Sequence, residues 1–218
     1  YKLDVRIAEL VGKDSGLFLD LAAYAIITEN NAAQYYPDYA FDHPLFTEGM
    51  KLYSDSKVSR FLREINRDTG IEFQNKWNAD RDHREKIYIS YDSTNKHCQA
   101  GDITFAEYGH EKEKQKKPIF NYSIAYDKKN RLPLFYEAYA GSVNDVSQLQ
   151  FMLEKAKAYG YRKAGFILDR GYFSEPNIRY MDRNGYEFII IKGCKELVKK
   201  IVLEHRGSFE DEWESVIP

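Results

Sequence analysis

The stretch that decides the fold is Lys86-Ile87-Tyr88-Ile89-Ser90-Tyr91-Asp92-Ser93-Thr94, in which apolar and polar residues alternate. Isoleucine or tyrosine fills every second position, which is the pattern of a β-strand with one buried face. The strand is predicted to end on Asp92. A second buried strand, Ala164 to Leu168, is followed directly by Asp169. Two predicted strands thus each deliver a carboxylate at their end.

The segments around these two strands predict a mixed sheet. Further strands are predicted at Ile103 to Tyr108, Ile119 to Tyr126, Leu132 to Ala140 and Tyr186 to Ile191, and helices at Val146 to Tyr159 and Glu175 to Asn184. The first strands are joined by short links, which favours antiparallel pairing. The later strand, helix and strand imply a parallel crossover, with the last strand buried. The predicted fold class is therefore α/β, a ribonuclease-H-like mixed sheet with helices on its faces.

The part of the chain before Lys86 has a different character. Residues 1–85 predict a small, mostly helical domain, in which Ser56 to Asn66 is the clearest helix and Gly70 a plausible stop. Residues 86–206 form the predicted core, which is incomplete. Residues 207–218 are expected to begin an insertion or to continue the core.

Composition limits the class of protein. The chain has 218 residues, 43% hydrophobic and 30% charged, as in soluble globular proteins. Its longest apolar runs, such as Phe188 to Ile191, are too short to span a membrane, and no secretory signal opens the sequence. Cys98 and Cys194 provide neither a disulfide framework nor a paired metal-ligand spacing, which favours a cytoplasmic setting. The net charge of −2 requires any DNA contact to come from local basic faces.

Asp92 and Asp169 are the candidate chemical groups. If their strands are neighbours, the two carboxylates lie close together and repel each other unless a cation lies between them. Hard oxygen ligands select Mg²⁺ or Mn²⁺. The alternative for either residue alone is an ordinary turn or helix-capping aspartate.

Three segments carry a family resemblance. They are Tyr91-Asp92-Ser93-Thr94, then Leu132-Pro133-Leu134 to Gly141 with Asn144-Asp145, then Leu168-Asp169-Arg170-Gly171-Tyr172. In this order they resemble the core of bacterial insertion-sequence transposases with two catalytic aspartates and one glutamate (DDE transposases). The closest group is the insertion-sequence-four superfamily, with its Asp-x-Thr and Asp-Arg-Gly signatures. The resemblance runs from about Lys86 to Gly193.

The resemblance implies a DNA transposase that cleaves transposon ends and joins them to target DNA. It implies two ions, Mg²⁺ or Mn²⁺, with Asp92 bridging both and Asp169 holding one. It also implies a homodimer in the complete protein, acting on the nucleoid in the cytoplasm. The third acid of the family is a glutamate in a Tyr…Arg…Glu…Lys context, which Glu196, Glu204 and Glu210 all lack. We therefore expect it beyond residue 218, and we expect residues 1–218 alone to be inactive.

Basic residues suggest where DNA could bind. Lys57, Arg60, Arg63 and Arg67 are predicted to project from one helix, opposite its apolar stripe, and could contact phosphates. The alternative is an ordinary solvated helix face. Arg170 and Lys192, each beside a strand end near the presumed cleft, are further candidates. For Arg170 the alternative is a structural ion pair.

Three other functions are alternatives to an active transposase. A catalytically inactive or domesticated remnant could bind DNA without cutting it, and a nuclease on the same fold could share the metal site. A phosphatase of the haloacid dehalogenase kind needs a second aspartate two residues after the first. This chain has Thr94 there, which argues against that class. The DNA end sequence and the target preference do not follow from the sequence.

Overall fold

The computed structural model describes residues 2–81, 85–98, 103–109, 116–191 and 195–205. The chain divides into two compact units, Tyr1–Asp82 and His83–Pro218. The first is helical, as expected, and the second contains the sheet. None of the helices in the described ranges is long and apolar enough to cross a membrane.

The helical unit is built around a cluster of aromatic side chains. Its α-helices are α1 (Leu3–Val11), α2 (Ser15–Thr28), α3 (Tyr36–Asp42), α4 (Asp55–Glu64) and α5 (Arg67–Ala79). The rings of Tyr24, Tyr36 and Tyr39 contact one another, with Tyr24 and Tyr36 meeting edge to face at 5.9 Å. Val58 and Phe61 bring the apolar stripe of α4 into the same cluster. Burial of this aromatic surface stabilises the unit.

A buried carboxylate joins α2 to the segment that follows α3. Asp20, which is 1% exposed, accepts hydrogen bonds from the backbone N–H groups of Phe46 and Thr47, at 2.5 and 3.1 Å. The Thr47 hydroxyl donates to it as well, at 2.6 Å. Three donors compensate for the removal of the carboxylate from water.

The predicted helix Ser56 to Asn66 is present, but its predicted stop at Gly70 is wrong. Helix α4 is capped by Ser54 and ends at Glu64, and Asn66 then caps α5, its side chain accepting the N–H of Thr69. Gly70 therefore lies inside α5. Only Ile65 and the new N-cap Asn66 separate the two helices, and this cap starts the second helix.

The second unit contains a five-stranded mixed sheet. Its strands are β1 (Ile87–His97), β2 (Ile119–Asp127), β3 (Leu132–Ala140), β4 (Ala164–Leu168) and β5 (Glu187–Ile190), in the spatial order β3-β2-β1-β4-β5. Strands β1, β2 and β3 pair antiparallel, and β4 pairs parallel with both β1 and β5. This arrangement confirms the predicted fold class.

Three helices precede, separate and follow strands β4 and β5 along the chain. They are α6 (Asp145–Ala158), α7 (Glu175–Arg183) and α8 (Lys195–Glu204). Asn144 caps α6 and Ser174 caps α7, each accepting a backbone N–H three residues on. Leu149, Met152 and Leu153 of α6 are at most 3% exposed. They pack on the sheet face that carries Ile89, Tyr91, Ala125, Phe135 and Phe166.

Three strand predictions need correction. Strand β1 does not end at Asp92 but continues to His97, because β2 pairs with it over that whole length. Ile103 to Tyr108 is not a strand: the segment turns, with the N–H of Ala106 bonded to Ile103, and only Glu107 bridges to Ile119. Strand β5 is not buried, since it lies at the sheet edge and Ile189 is 67% exposed.

Candidate active site

The register of β1 against β4 brings Asp92 and Asp169 side by side. Ile87 pairs with Ala164, 77 positions further on, and the pairing keeps this offset up to Tyr91 and Leu168. Asp92 directly follows Tyr91, Asp169 directly follows Leu168, and the two acids are also 77 positions apart. Neighbouring strands are about 4.8 Å apart. The two carboxylates therefore leave the sheet at the same level.

Both carboxylates are exposed, and each uses one oxygen locally. Oδ1 of Asp92 accepts the N–H of Ser93 at 2.8 Å, and Oδ1 of Asp169 accepts the N–H of Arg170 at 2.6 Å. Neither acid forms an ion pair within the described part of the chain. Each Oδ2 is thus available to a ligand outside the protein.

Two aromatic residues next to the acids pack against each other. Tyr91, which precedes Asp92, contacts Tyr172, which lies three residues after Asp169, with ring centroids 5.0 Å apart. Both are nearly completely buried, at 3% and 1% exposure. This ring contact packs the residue before Asp92 against the turn that follows Asp169.

Asn177 holds the turn that follows Asp169 in place. This residue of α7 is 1% exposed, and its Nδ2 donates to the carbonyl oxygens of Tyr172, at 3.0 Å, and Val146, at 2.9 Å. Its Oδ1 accepts from Gln150 of α6 at 3.3 Å. The short 3-10 turn Arg170–Tyr172 is therefore fixed to both α6 and α7. The sequence offered only one weak sign of this role, a polar residue on the side of α7 that also carries Met181.

The proposed DNA-binding residues of the helical unit do not share one helix. Arg60 and Arg63 are exposed on α4, but Arg67 is the first residue of α5, which corrects the prediction of a single basic face. Lys57 is half-buried, pairs with Asp14 at 3.3 Å and lies over the Tyr53 ring. Lys57 thus has an ion-pair partner within the unit, and Arg60 and Arg63 are the exposed candidates on α4. DNA binding by this unit stays a prediction.

Arg170 and Lys192 were predicted to lie near the acids. Arg170 directly follows Asp169, its side chain is exposed, and it forms no ion pair with the residues that the structure describes. Lys192 lies outside the described residues. A DNA contact by either one stays a prediction.

No third acid joins the pair within the described ranges, where no group of three or more His, Cys, Asp or Glu side chains could hold a metal ion. Glu196 and Glu204 lie exposed on α8. Glu210 is outside the described residues. A third catalytic acid beyond residue 218 stays a prediction.

Comparisons with solved structures return transposases. The chain resembles the piggyBac transposase synaptic complex with hairpin DNA at 12% identity and a TM-score of 0.47, covering 90% of this chain and 45% of that one. It resembles the Drosophila P element transposase strand transfer complex at 15% identity and a TM-score of 0.45, covering 94% and 47%. The chain thus spans less than half of the length of these two proteins. No curated protein sequence matches it.

The family assignment comes from the sequence itself. The model of the transposase DDE domain matches residues 83–208, which is more than half of the chain. The match includes both acids, the whole sheet and helices α6 to α8. The chain belongs to the family of transposase DDE domains.

Proposed function

We propose that this chain is the catalytic core, with a helical domain before it, of a DNA transposase that cleaves transposon ends and joins them to target DNA. The observation that supports this most directly is the pair of exposed acids at one level of the sheet. Asp92 and Asp169 are the proposed catalytic residues. Membership of the DDE domain family, which consists of DNA-cleaving and strand-transferring enzymes, supports the same function.

The residues at this position fit a divalent metal. Domains of this family generally use divalent metal ions. Asp92 and Asp169 offer hard carboxylate oxygens, and both Oδ2 atoms are without a hydrogen bond to any described group. Such oxygens suit Mg²⁺ or Mn²⁺. When bound, two such ions supply Lewis acidity at the scissile phosphate and a nucleophile at neutral pH.

The chain's own residues then have distinct tasks. Asp92 is fixed by the β1–β2 ladder, in which it pairs with Ile124, and it would be one of the residues that hold the metal. Asp169 would hold one ion from the adjoining strand end. Arg170, exposed and next to Asp169, would bind a DNA phosphate through its guanidinium. We place the protein in the insertion-sequence-four superfamily and expect a homodimer that holds two DNA ends.

The direct test uses the complete reading frame that contains this chain, with Mg²⁺ or Mn²⁺ and DNA carrying the ends of the element. We expect end cleavage and joining, and we expect Asp92→Asn and Asp169→Asn each to lose both products. The matched control is Asp182→Asn, an exposed aspartate of α7 outside the proposed site. Cleavage retained in either site variant would reject the assignment.

The same experiment separates the alternatives. A nuclease on this fold would cleave the ends without forming joined products. A domesticated remnant would bind the ends and leave them intact.

Manganese binding to the 218-residue chain, measured by electron paramagnetic resonance, should be weakened by the two site variants and unchanged in the control.

A further inference from the structure

The backbone at Asp169 lies beyond the paired part of its strand. The pairing of β4 with β1 and with β5 ends at Leu168, one residue before the acid. The pairing of β1 with β2, in contrast, continues through Asp92 to His97. Contacts outside the sheet therefore have to hold Asp169 at the level of Asp92.

Tyr172 connects the backbone of Asp169 to helix α7. Its N–H donates to the carbonyl oxygen of Asp169 at 3.1 Å, which closes the 3-10 turn. Its own carbonyl oxygen accepts Nδ2 of Asn177 at 3.0 Å. One residue is thus bonded to Asp169 through its N–H and to Asn177 through its carbonyl group. A change at Asn177 therefore reaches the backbone of Asp169 through two hydrogen bonds.

Asn177 is itself held by both helices that adjoin the turn. Its backbone N–H donates to Oγ of Ser174 at 3.2 Å, at the start of α7. Its Nδ2 also donates to the carbonyl oxygen of Val146 in α6, and its Oδ1 accepts from Gln150 of the same helix. An amide suits this place because it provides two N–H donors and one acceptor. A side chain without these donors would leave two inward carbonyl oxygens without this partner, which is costly in a buried position.

We propose that Asn177 is a positioning residue of the metal site, which sets the place of Asp169 relative to Asp92 and thereby the affinity for a divalent ion. Asn177 is 1% exposed and bonds to the turn, not to either carboxylate, so that it acts through Asp169. Metal affinity depends on how exactly the ligand oxygens are placed, and the groups that orient them contribute to it. This inference rests on the proposed function, because it requires that the two acids bind metal.

The test measures manganese binding to the 218-residue chain by electron paramagnetic resonance, with Mn²⁺ titrated into the millimolar range. We expect Asn177→Ala to weaken manganese binding about tenfold, as is typical when a group that orients a metal ligand is removed. The matched control is Gln150→Ala, which removes the hydrogen bond to Oδ1 and leaves both Nδ2 donations in place. This control should bind manganese like the unmodified chain.

Circular dichroism shows whether each variant is folded before the titration. If Asn177→Ala does not fold, Asn177→Ser takes its place, because one hydroxyl donor cannot serve the carbonyl oxygens of both Tyr172 and Val146. We expect the serine variant to weaken manganese binding as well. A folded serine variant with unchanged manganese affinity would overturn the proposal.

A double-variant cycle separates positioning from a general loss of structure. In the Asp92→Asn background the effect of Asn177→Ala should persist, because Asp169 is still there to be placed. In the Asp169→Ala background the effect should disappear, because no carboxylate remains at that position. The same loss in both backgrounds would show a merely structural role and overturn the proposal. So would an effect of Gln150→Ala as large as that of Asn177→Ala.

The same titrations distinguish failure of this inference from failure of the proposed function. If Asp92→Asn and Asp169→Ala weaken manganese binding but Asn177→Ala does not, the positioning role alone is refuted. If neither change of an acid weakens manganese binding, the proposed metal site is wrong, and this inference is refuted with it.

Discussion

Replacement of Lys155 by methionine should destabilise the sheet-containing unit strongly. Lys155 of α6 and Glu137 of β3 form an ion pair at 2.5 Å, and each side chain is only 15% exposed. Lys155 also donates to the carbonyl oxygen of Tyr136 at 2.9 Å. Methionine keeps most of the side-chain volume but removes the Lys155 ammonium from beside the Glu137 carboxylate. Removal of one partner of a buried ion pair costs about 3–5 kcal/mol of stability. Because water partly reaches this pair, we expect a loss near the lower end of that range.

The matched control is Lys86→Met. Lys86 pairs with Glu187 at the same distance of 2.5 Å, but the two side chains are 44% and 65% exposed. Water replaces the lost partner there, so that we expect no clear change in stability. The ion-pair distance and the substitution are the same in both cases, so the comparison tests burial together with the hydrogen bond that Lys155 donates to Tyr136.

The assay is equilibrium unfolding in urea. Hydrogen exchange of the β3 and α6 amides is the readout, so that the stability of the sheet-containing unit is measured separately. The double variant Glu137→Gln with Lys155→Met should recover a large part of the loss, because it also removes the carboxylate charge that Lys155 neutralised. Equal effects of Lys155→Met and Lys86→Met would refute the reasoning. So would a double variant as unstable as the sum of the two single changes.

Three further outcomes follow from other contacts. A hydrogen bond to Glu154, with desolvation, raises the pKa of Tyr180 from 10.0 to about 12. The stability that this bond contributes is complete below pH 10 and is lost as the pH rises to about 12. Glu154→Gln should remove this pH dependence of the unfolding free energy and lower the pKa of Tyr180 in an NMR titration. Asp20→Ala leaves the N–H groups of Phe46 and Thr47 without their acceptor and should cost about 3 kcal/mol in thermal unfolding of the helical unit; a neutral result would mean that water replaces the carboxylate. Gly141→Ala would place a Cβ 2.2 Å from the carbonyl oxygen of Ile119. We expect the free energy of unfolding, measured in urea, to fall by about 1–3 kcal/mol. Unchanged stability would show that the 141–144 loop can shift.

Alternating hydrophobicity located the acids but not the end of the first strand. The pattern of β1 stops at Tyr91, since Ser93 and Asn95 take the following inward positions. The strand nevertheless continues to His97, because backbone hydrogen bonds to β2 do not require apolar side chains. The converse error occurred at Ile103 to Tyr108, where β-prone residues have no neighbouring strand to pair with along their length.

The contacts that support the acids could not be predicted from local patterns. Asn177 bonds to Val146, which is 31 positions away, and the ring of Tyr172 meets that of Tyr91 across 81 positions. A single sequence carries no signal for such distant partners. In contrast, the caps of α6 and α7 were predictable because Asn144 and Ser174 act on N–H groups three residues away. Local patterns thus indicate Asp92 and Asp169 as candidates, but they carry no signal for the residues that support them.

The two acids differ in how firmly the backbone holds them, since Asp92 lies within a strand and Asp169 begins a turn. Strand β2 pairs with β1 on both sides of Asp92, whereas Asp169 is already beyond the last pair of β4 with its neighbours. We expect strand pairing to hold Asp92 more firmly than Asp169, which is held by the turn that Asn177 bonds to. Amide exchange at residues 170–172 should then slow when manganese binds, while exchange at residues 91–93 should hardly change.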